Sequence, residues 1–121
     1  MRCLIVDDHP SFCEAARELL EGQGLTVVGC ATSSAEALRR VRELRPEVAL
    51  VDIDLGPDSG FDLACRLTED VDGSPPRVIL VSTHDEREFL KLIESSPAVG
   101  FLAKTELSAE RIYQVLDRTA G

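Results

Sequence analysis

Five short runs of aliphatic residues recur along the chain, at Cys3–Val6, Leu25–Val28, Val48–Val51, Val78–Val81 and Val99–Leu102. Each run is continuous rather than alternating apolar and polar, which is the pattern of strands covered on both faces of a parallel sheet. Between the runs, apolar residues return at helical spacing. Phe12, Ala15, Ala16, Leu19 and Leu20 share one face, with Pro10 suited to the first helical position and Gly22 and Gly24 ending the segment. Ser33 and Glu36 have the spacing of a capping box ahead of Leu38, Val41 and Leu44, and Pro46 stops that helix. A third helix carries Phe61, Leu63, Ala64 and Leu67, and a fourth carries Phe89, Leu92 and Ile93 and halts before Pro97. Ser108 is placed to cap the last, with Leu107 and Ile112 forming a hydrophobic staple and Val115 and Leu116 continuing the buried face.

Strand then helix, five times over, predicts a doubly wound, flavodoxin-like α/β domain. Its five-stranded parallel sheet is expected in the order 2-1-3-4-5, with five helices on its two faces. At 121 residues the chain fits a single domain, 1–121, large enough to bury a genuine core. Thirteen basic against twenty-two acidic residues give a net charge of −9, which argues against this chain gripping nucleic acid by itself. Cations and basic patches on partner proteins suit such a surface better. No run approaches a membrane span, and the acidic pair Asp7–Asp8 follows the first run too soon for a signal peptide, so a cytoplasmic protein is expected. Cys3, Cys13, Cys30 and Cys65 form no CxxC and read as reduced, buried small hydrophobes.

Ligands of such sheets bind outside the carboxyl ends of the strands, near the switch in strand order. Asp7 and Asp8 follow the first run; Asp52 ends the third, with Asp54 two residues on; Ser82 and Thr83 end the fourth; Lys104 follows the fifth. In the expected order these positions converge on one crevice. Two carboxylates about 4 Å apart repel by roughly 4 kcal/mol at an effective dielectric near 20, so a cluster of them calls for a cation. Hard oxygen donors in an open site suit Mg²⁺ or Mn²⁺, with Lys104 and Ser82 placed to meet an incoming phosphoryl group. A carboxylate beside such an ion can itself be the nucleophile, giving an acyl phosphate.

In four places, in order and at matching intervals, the chain resembles the receiver domain of two-component response regulators. The segments are LIVDDHPSF, PEVALVDIDLGPDSGFDLACRL, VILVSTHDE and GFLAKTELS. The wording VDDHP, STHDE and AKTELS is most similar to receivers that precede LuxR-type helix-turn-helix domains. The resemblance implies that Asp52 is the phospho-acceptor. It implies metal binding by Asp8 and Asp52 through their carboxylates, by Asp7 directly or through water, and by Asp54 through its backbone carbonyl. It further implies that Lys104 pairs with the acceptor, that Ser82 is the switch hydroxyl and that Phe101 is the switch aromatic. Asp54, Thr83 and His84 stand at places expected to tune the lifetime of the phosphorylated state. The implied partners are a sensor histidine kinase or phosphotransfer protein, an output domain or downstream protein, and a second copy of the chain through the face of the fourth helix, fifth strand and fifth helix. Beyond phospho-acceptance and self-dephosphorylation, no enzyme activity is implied.

Two other readings are weighed. VDID after an apolar strand also resembles the first motif of haloacid-dehalogenase phosphatases, with Asp52 as nucleophile and Asp54 as acid/base. Gly56 stands where that family places threonine, and the acidic pair lies upstream rather than downstream. The third reading is a receiver-like module that works by contacts alone, suggested by Gly56 and Thr83.

Overall fold

The computed structural model describes residues 1–69, 73–83 and 86–120. Strands β1 (Arg2–Val6), β2 (Thr26–Ala31), β3 (Val48–Asp52), β4 (Arg77–Ser82) and β5 (Gly100–Ala103) form one parallel sheet in the order β2-β1-β3-β4-β5. Helices α1 (Pro10–Gly22), α2 (Ser34–Leu44), α3 (Gly60–Glu69), α4 (Leu90–Ser95) and α5 (Ala109–Ala120) cross between them. This is the architecture and strand order that the pattern of runs predicts.

The reason the runs are continuous is visible in the core. Cys3, Ile5, Val48, Leu50, Ile79, Val81 and Leu102 point to one face, where Ala16 and Leu20 of α1 and Ile112, Val115 and Leu116 of α5 close over them. Their alternates Leu4, Val6, Ala49, Val51, Val78 and Leu80 point to the other face, under Leu38 and Val41 of α2 and Leu63 and Leu67 of α3. Each of these strand residues therefore meets a helix, and the central strands carry polar residues only at their ends.

Both predicted caps form: the Ser33 hydroxyl accepts the Glu36 N–H, and the Ser108 hydroxyl accepts the Arg111 N–H. Glu36 reaches back to the N–H of Thr32. α2 ends at Leu44, two residues before Pro46, with Arg45 in the left-handed region at φ 50°.

Three expectations need correction. The second strand runs to Ala31 instead of stopping at Val28, and Leu25 precedes it; Gly29 and Cys30 carry little strand propensity, but backbone pairing to β1 carries them in. The fourth helix is only six residues long, and Phe89 sits ahead of it in a 3₁₀ turn. With Ile93 turned to the core, Leu92 lies about 100° round the helix and is 51% exposed. Finally, only Cys3 and Cys13 are buried; Cys30 and Cys65 are partly exposed.

Candidate functional site

The strand register brings the polar ends together. Val6 pairs with Val51, Asp52 with Val81 and Ser82 with Ala103, so Asp7, Asp52, Ser82 and Lys104 leave neighbouring strands at one edge. The Asp7 N–H donates to the carbonyl of Ala31 at 2.9 Å, which carries the β1–β2 pairing one residue past the strand and buries its side chain. Asp7 Oδ1 accepts the His9 N–H at 2.8 Å. The acidic pair is thus not a helix cap: His9 occupies that position with no side-chain capping bond, and Pro10 starts α1.

Asp52 is 4% exposed, and its Oδ1 accepts the Asp54 N–H at 3.1 Å. Lys104 Nζ lies 3.2 Å from Asp52 Oδ2 and 2.6 Å from Asp7 Oδ2, one ammonium between two carboxylates. It also sits 4.3 Å from the centre of the Phe12 ring. That contact is a cation–π packing that steadies the ammonium from the α1 side. Asp8 stands beside them, more open to solvent. One donor atom each from Asp7, Asp8, His9 and Asp52 falls within 4.8 Å of the others.

Three carboxylates around one ammonium leave an excess of negative charge. Burial pushes the Asp52 carboxyl up to about 6, with the Asp7 charge adding to it, while the Asp54 N–H and Lys104 pull the other way. For Lys104, burial opposes the charge, but Asp7 and Asp52 outweigh it and hold the ammonium above its usual range. Lys104 Nζ stands 2.6 Å from Asp7 Oδ2 and His9 Nδ1 3.0 Å from Asp8 Oδ1, yet neither of these buried oxygens has a well-directed hydrogen bond. Buried carboxylate oxygens with so few directed bonds are costly, and a hard divalent cation with oxygen ligands satisfies them. The donor set therefore fits Mg²⁺, with His9 as a nitrogen at its margin.

Two glycines shape this edge. A Cβ on Gly60 would lie 2.2 Å from the Asp52 carbonyl oxygen, so the start of α3 packs directly on the end of β3 only because that residue has no side chain. Gly56, at φ 63°, opens the turn of a small antiparallel ladder joining residues 54–55 to 58–59. A glycine with positive φ followed by Pro57 meets the demand of a type II′ turn, which explains the order Gly–Pro there. A Cβ on Gly56 would stand 3.3 Å from Asp8 Oδ2.

The remaining predicted positions divide. Ser82 is buried at the strand end. Phe101 is half-buried against the same cluster as Phe89 and Ile93. Thr83 is exposed in a bend, and His84 lies outside the described residues. The Asp54 carboxylate is not one of the four clustered donors. Sequence reasoning missed Phe12 as a partner of Lys104, His9 beside the carboxylates, and Gly60; only His9, next to the acidic pair, carried a local signal.

Strand order, crossovers and the acidic edge together define a receiver-type α/β module. The chain belongs to the response regulator receiver domain family, whose model matches residues 3–117. NarL of Mycobacterium tuberculosis is 34% identical over 122 residues, spanning 100% of this chain and 56% of NarL. The solved signal receiver domain of NarL superposes with a TM-score of 0.82 at 34% identity, covering 99% of this chain and 96% of that one. A LuxR-family two-component response regulator from Aurantimonas gives a TM-score of 0.80 at 28% identity, covering 99% and 85%. A Burkholderia pseudomallei response regulator gives 0.79 at 26% identity, covering 95% and 65%; that structure holds a phosphorylated aspartic acid, a calcium ion and citrate. The chain spans little more than half the length of the curated relatives it matches. Membership of this family sets aside the haloacid-dehalogenase reading. Among the described residues no helix is long and apolar enough to cross a membrane.

Proposed function

We propose that residues 1–121 form a phosphorylatable switch in which Asp52 accepts a phosphoryl group from a phosphohistidine of a sensor kinase or phosphotransfer protein. The observation that carries this reading is the buried Asp52 carboxylate, held by Lys104 and the Asp54 N–H and clustered with the carboxylate oxygens of Asp7 and Asp8. An Asp52 oxygen forms the new O–P bond as the donor's N–P bond breaks, and the leaving imidazole takes up a proton. Asp7, Asp8, Asp52 and the Asp54 carbonyl would hold a Mg²⁺ or Mn²⁺ ion, which when bound supplies positive charge to the phosphoryl oxygens. Lys104 keeps a fixed positive charge at the acceptor and exchanges its pairing with Asp52 for the phosphoryl group. Ser82, buried one strand over, donates its hydroxyl to a phosphoryl oxygen.

Phosphorylation adds about 1.5–2 negative charges, as for phosphorylated hydroxyls, and biases two arrangements of β4, α4 and Phe101. The face of α4, β5 and α5 is then read by an output domain, a downstream protein or a second copy of the chain. Asp54, Thr83 and His84 tune how long the phosphorylated state lasts. The reaction belongs to a cytoplasmic signalling chain, and this domain does not itself grip nucleic acid or membrane.

Phosphoramidate, a small donor with the same P–N bond as phosphohistidine, tests the reading. After loading with Mg²⁺, reductive trapping and digestion, the acyl phosphate is expected at Asp52. A label at Asp54 or on a hydroxyl would overturn Asp52 as the acceptor, and none at all with this donor and with a phosphorylated kinase domain would leave the contact-only module as the better account.

A further inference from the structure

A second pair of reactive groups lies away from the acidic edge, between α1 and the edge strand β2. Cys13 is buried on the inner face of α1, and Cys30 is half-exposed on β2, where it packs against the cluster containing Cys13. Cys13 Sγ donates to the Asp7 carbonyl at 3.7 Å, and the two thiols are near enough to shift one another's ionisation. They line one cleft of about 230 Å³, together with Pro10, Glu14, Arg17 and Thr32. The cleft holds the Arg17 cation beside both cysteines.

We propose that Cys13 and Cys30 form a thiol-modification site, at which an oxidant of the hydroperoxide class joins them in an intramolecular disulfide. The Cys30 sulfur attacks the peroxide, forming an S–O bond as the O–O bond breaks; the departing hydroxide takes a proton and leaves as water. Cys13 Sγ then attacks Cys30 Sγ, forming the S–S bond as the S–O bond breaks, and its proton leaves with hydroxide as a second water. The sulfurs lose two electrons and the peroxide gains them.

The surroundings favour this pair over the other thiols. The neighbouring Cys13, and then the charges of Arg17 and Arg40, outweigh burial and the Asp7 charge and hold the Cys30 thiol below its usual range. A reactive cysteine needs such an electropositive, partly exposed setting. Cys3, in contrast, is sealed in the core, and burial pushes its thiol up to about 11. Cys65 is accessible on α3 but belongs to a different cleft, beside Asp58, Asp62 and Arg66.

The test is hydrogen peroxide treatment of the folded, reduced protein, followed by denaturation, alkylation of remaining thiols and mass mapping. Two of the four cysteines should escape alkylation, the Cys13 and Cys30 peptides should be cross-linked, and dithiothreitol should restore both. Cys30→Ser should abolish the cross-link, and Cys65→Ser should leave it unchanged. Cys13→Ala should leave Cys30 as a sulfenic acid that a dimedone probe captures, and with Cys13 in place Cys30 should be oxidised about tenfold faster than Cys65. Full alkylation of Cys13 and Cys30 at doses that already oxidise Cys65 would overturn the proposal, as would a cross-link from Cys30 to a second molecule. None of these readouts depends on phosphorylation, so the two proposals stand or fall separately.

Discussion

The acidic edge and α4 are built in opposite ways. At the edge nearly every position has more than one constraint. Asp7 is tied to Ala31 and His9, Asp52 to Asp54 and Lys104, and Lys104 to two carboxylates and an aromatic ring. In α4 no residue is fully buried, Leu90 and Leu92 face solvent, and the six-residue helix enters from a 3₁₀ turn. α5, on the other side of β5, buries Ala109, Ile112, Val115 and Leu116. A short helix without a buried anchor contributes little to global stability and opens at low free energy. The difference teaches where a charge added at Asp52 can be answered: the edge holds its geometry, and α4 is the element with little packing to lose.

The contrast can be broken most sharply at Gly60. Gly60→Ala drives a Cβ into the Asp52 carbonyl and should cost about 3 kcal/mol or more, since the obstacle is backbone and cannot turn aside. Chemical denaturation measures this; a loss under 1 kcal/mol would mean the edge is looser than described. Ile112→Ala in α5 should cost about 2–4 kcal/mol, while Leu92→Ala in α4 should stay within about 0.5 kcal/mol. Equal losses for the two would remove the contrast.

Asp52 supplies a smaller, signed effect. Its carboxyl is raised from 3.8 to about 6, so between these values the folded state binds a proton that the unfolded state has released. Stability from this group is therefore highest below about pH 4, declines as pH rises towards 6, and is fully lost above it, by up to about 3 kcal/mol. Asp52→Asn should lack this decline and, without divalent cations, be more stable than the wild type at pH 7 by about 1–3 kcal/mol. Denaturation of both proteins from pH 4 to 8 checks the sign. Mg²⁺ should narrow the gap at pH 7, because a bound cation stabilises only the form that holds it, by about 2.7 kcal/mol at a hundredfold excess over Kd.

Much of this was legible in the sequence because it rests on local pattern. A strand covered on both faces must be apolar at every position until it ends, so Asp7, Asp52, Ser82 and Lys104 stand out at the ends of their runs. Strand order then brings them together. What stayed hidden depends on contacts between distant segments. Phe12 reads as one more apolar residue of α1 until Lys104 is seen over its ring. Gly60 reads as a turn glycine until α3 is packed on β3. Cys13 and Cys30 are seventeen residues apart with no motif between them. The α4 expectation failed because three apolar residues at helical spacing do not say where the helix starts, and a 3₁₀ entry shifts its phase.

The central claim is that this over-constrained edge makes Asp52 a cation-dependent acceptor. The most direct measurement is the intact mass after incubation with acetyl phosphate, with and without Mg²⁺, for the wild type and Asp52→Asn. The account predicts one added phosphoryl group on the wild type, only with Mg²⁺, and none on the variant. Equal uptake by Asp52→Asn, or uptake that ignores the cation, would contradict it.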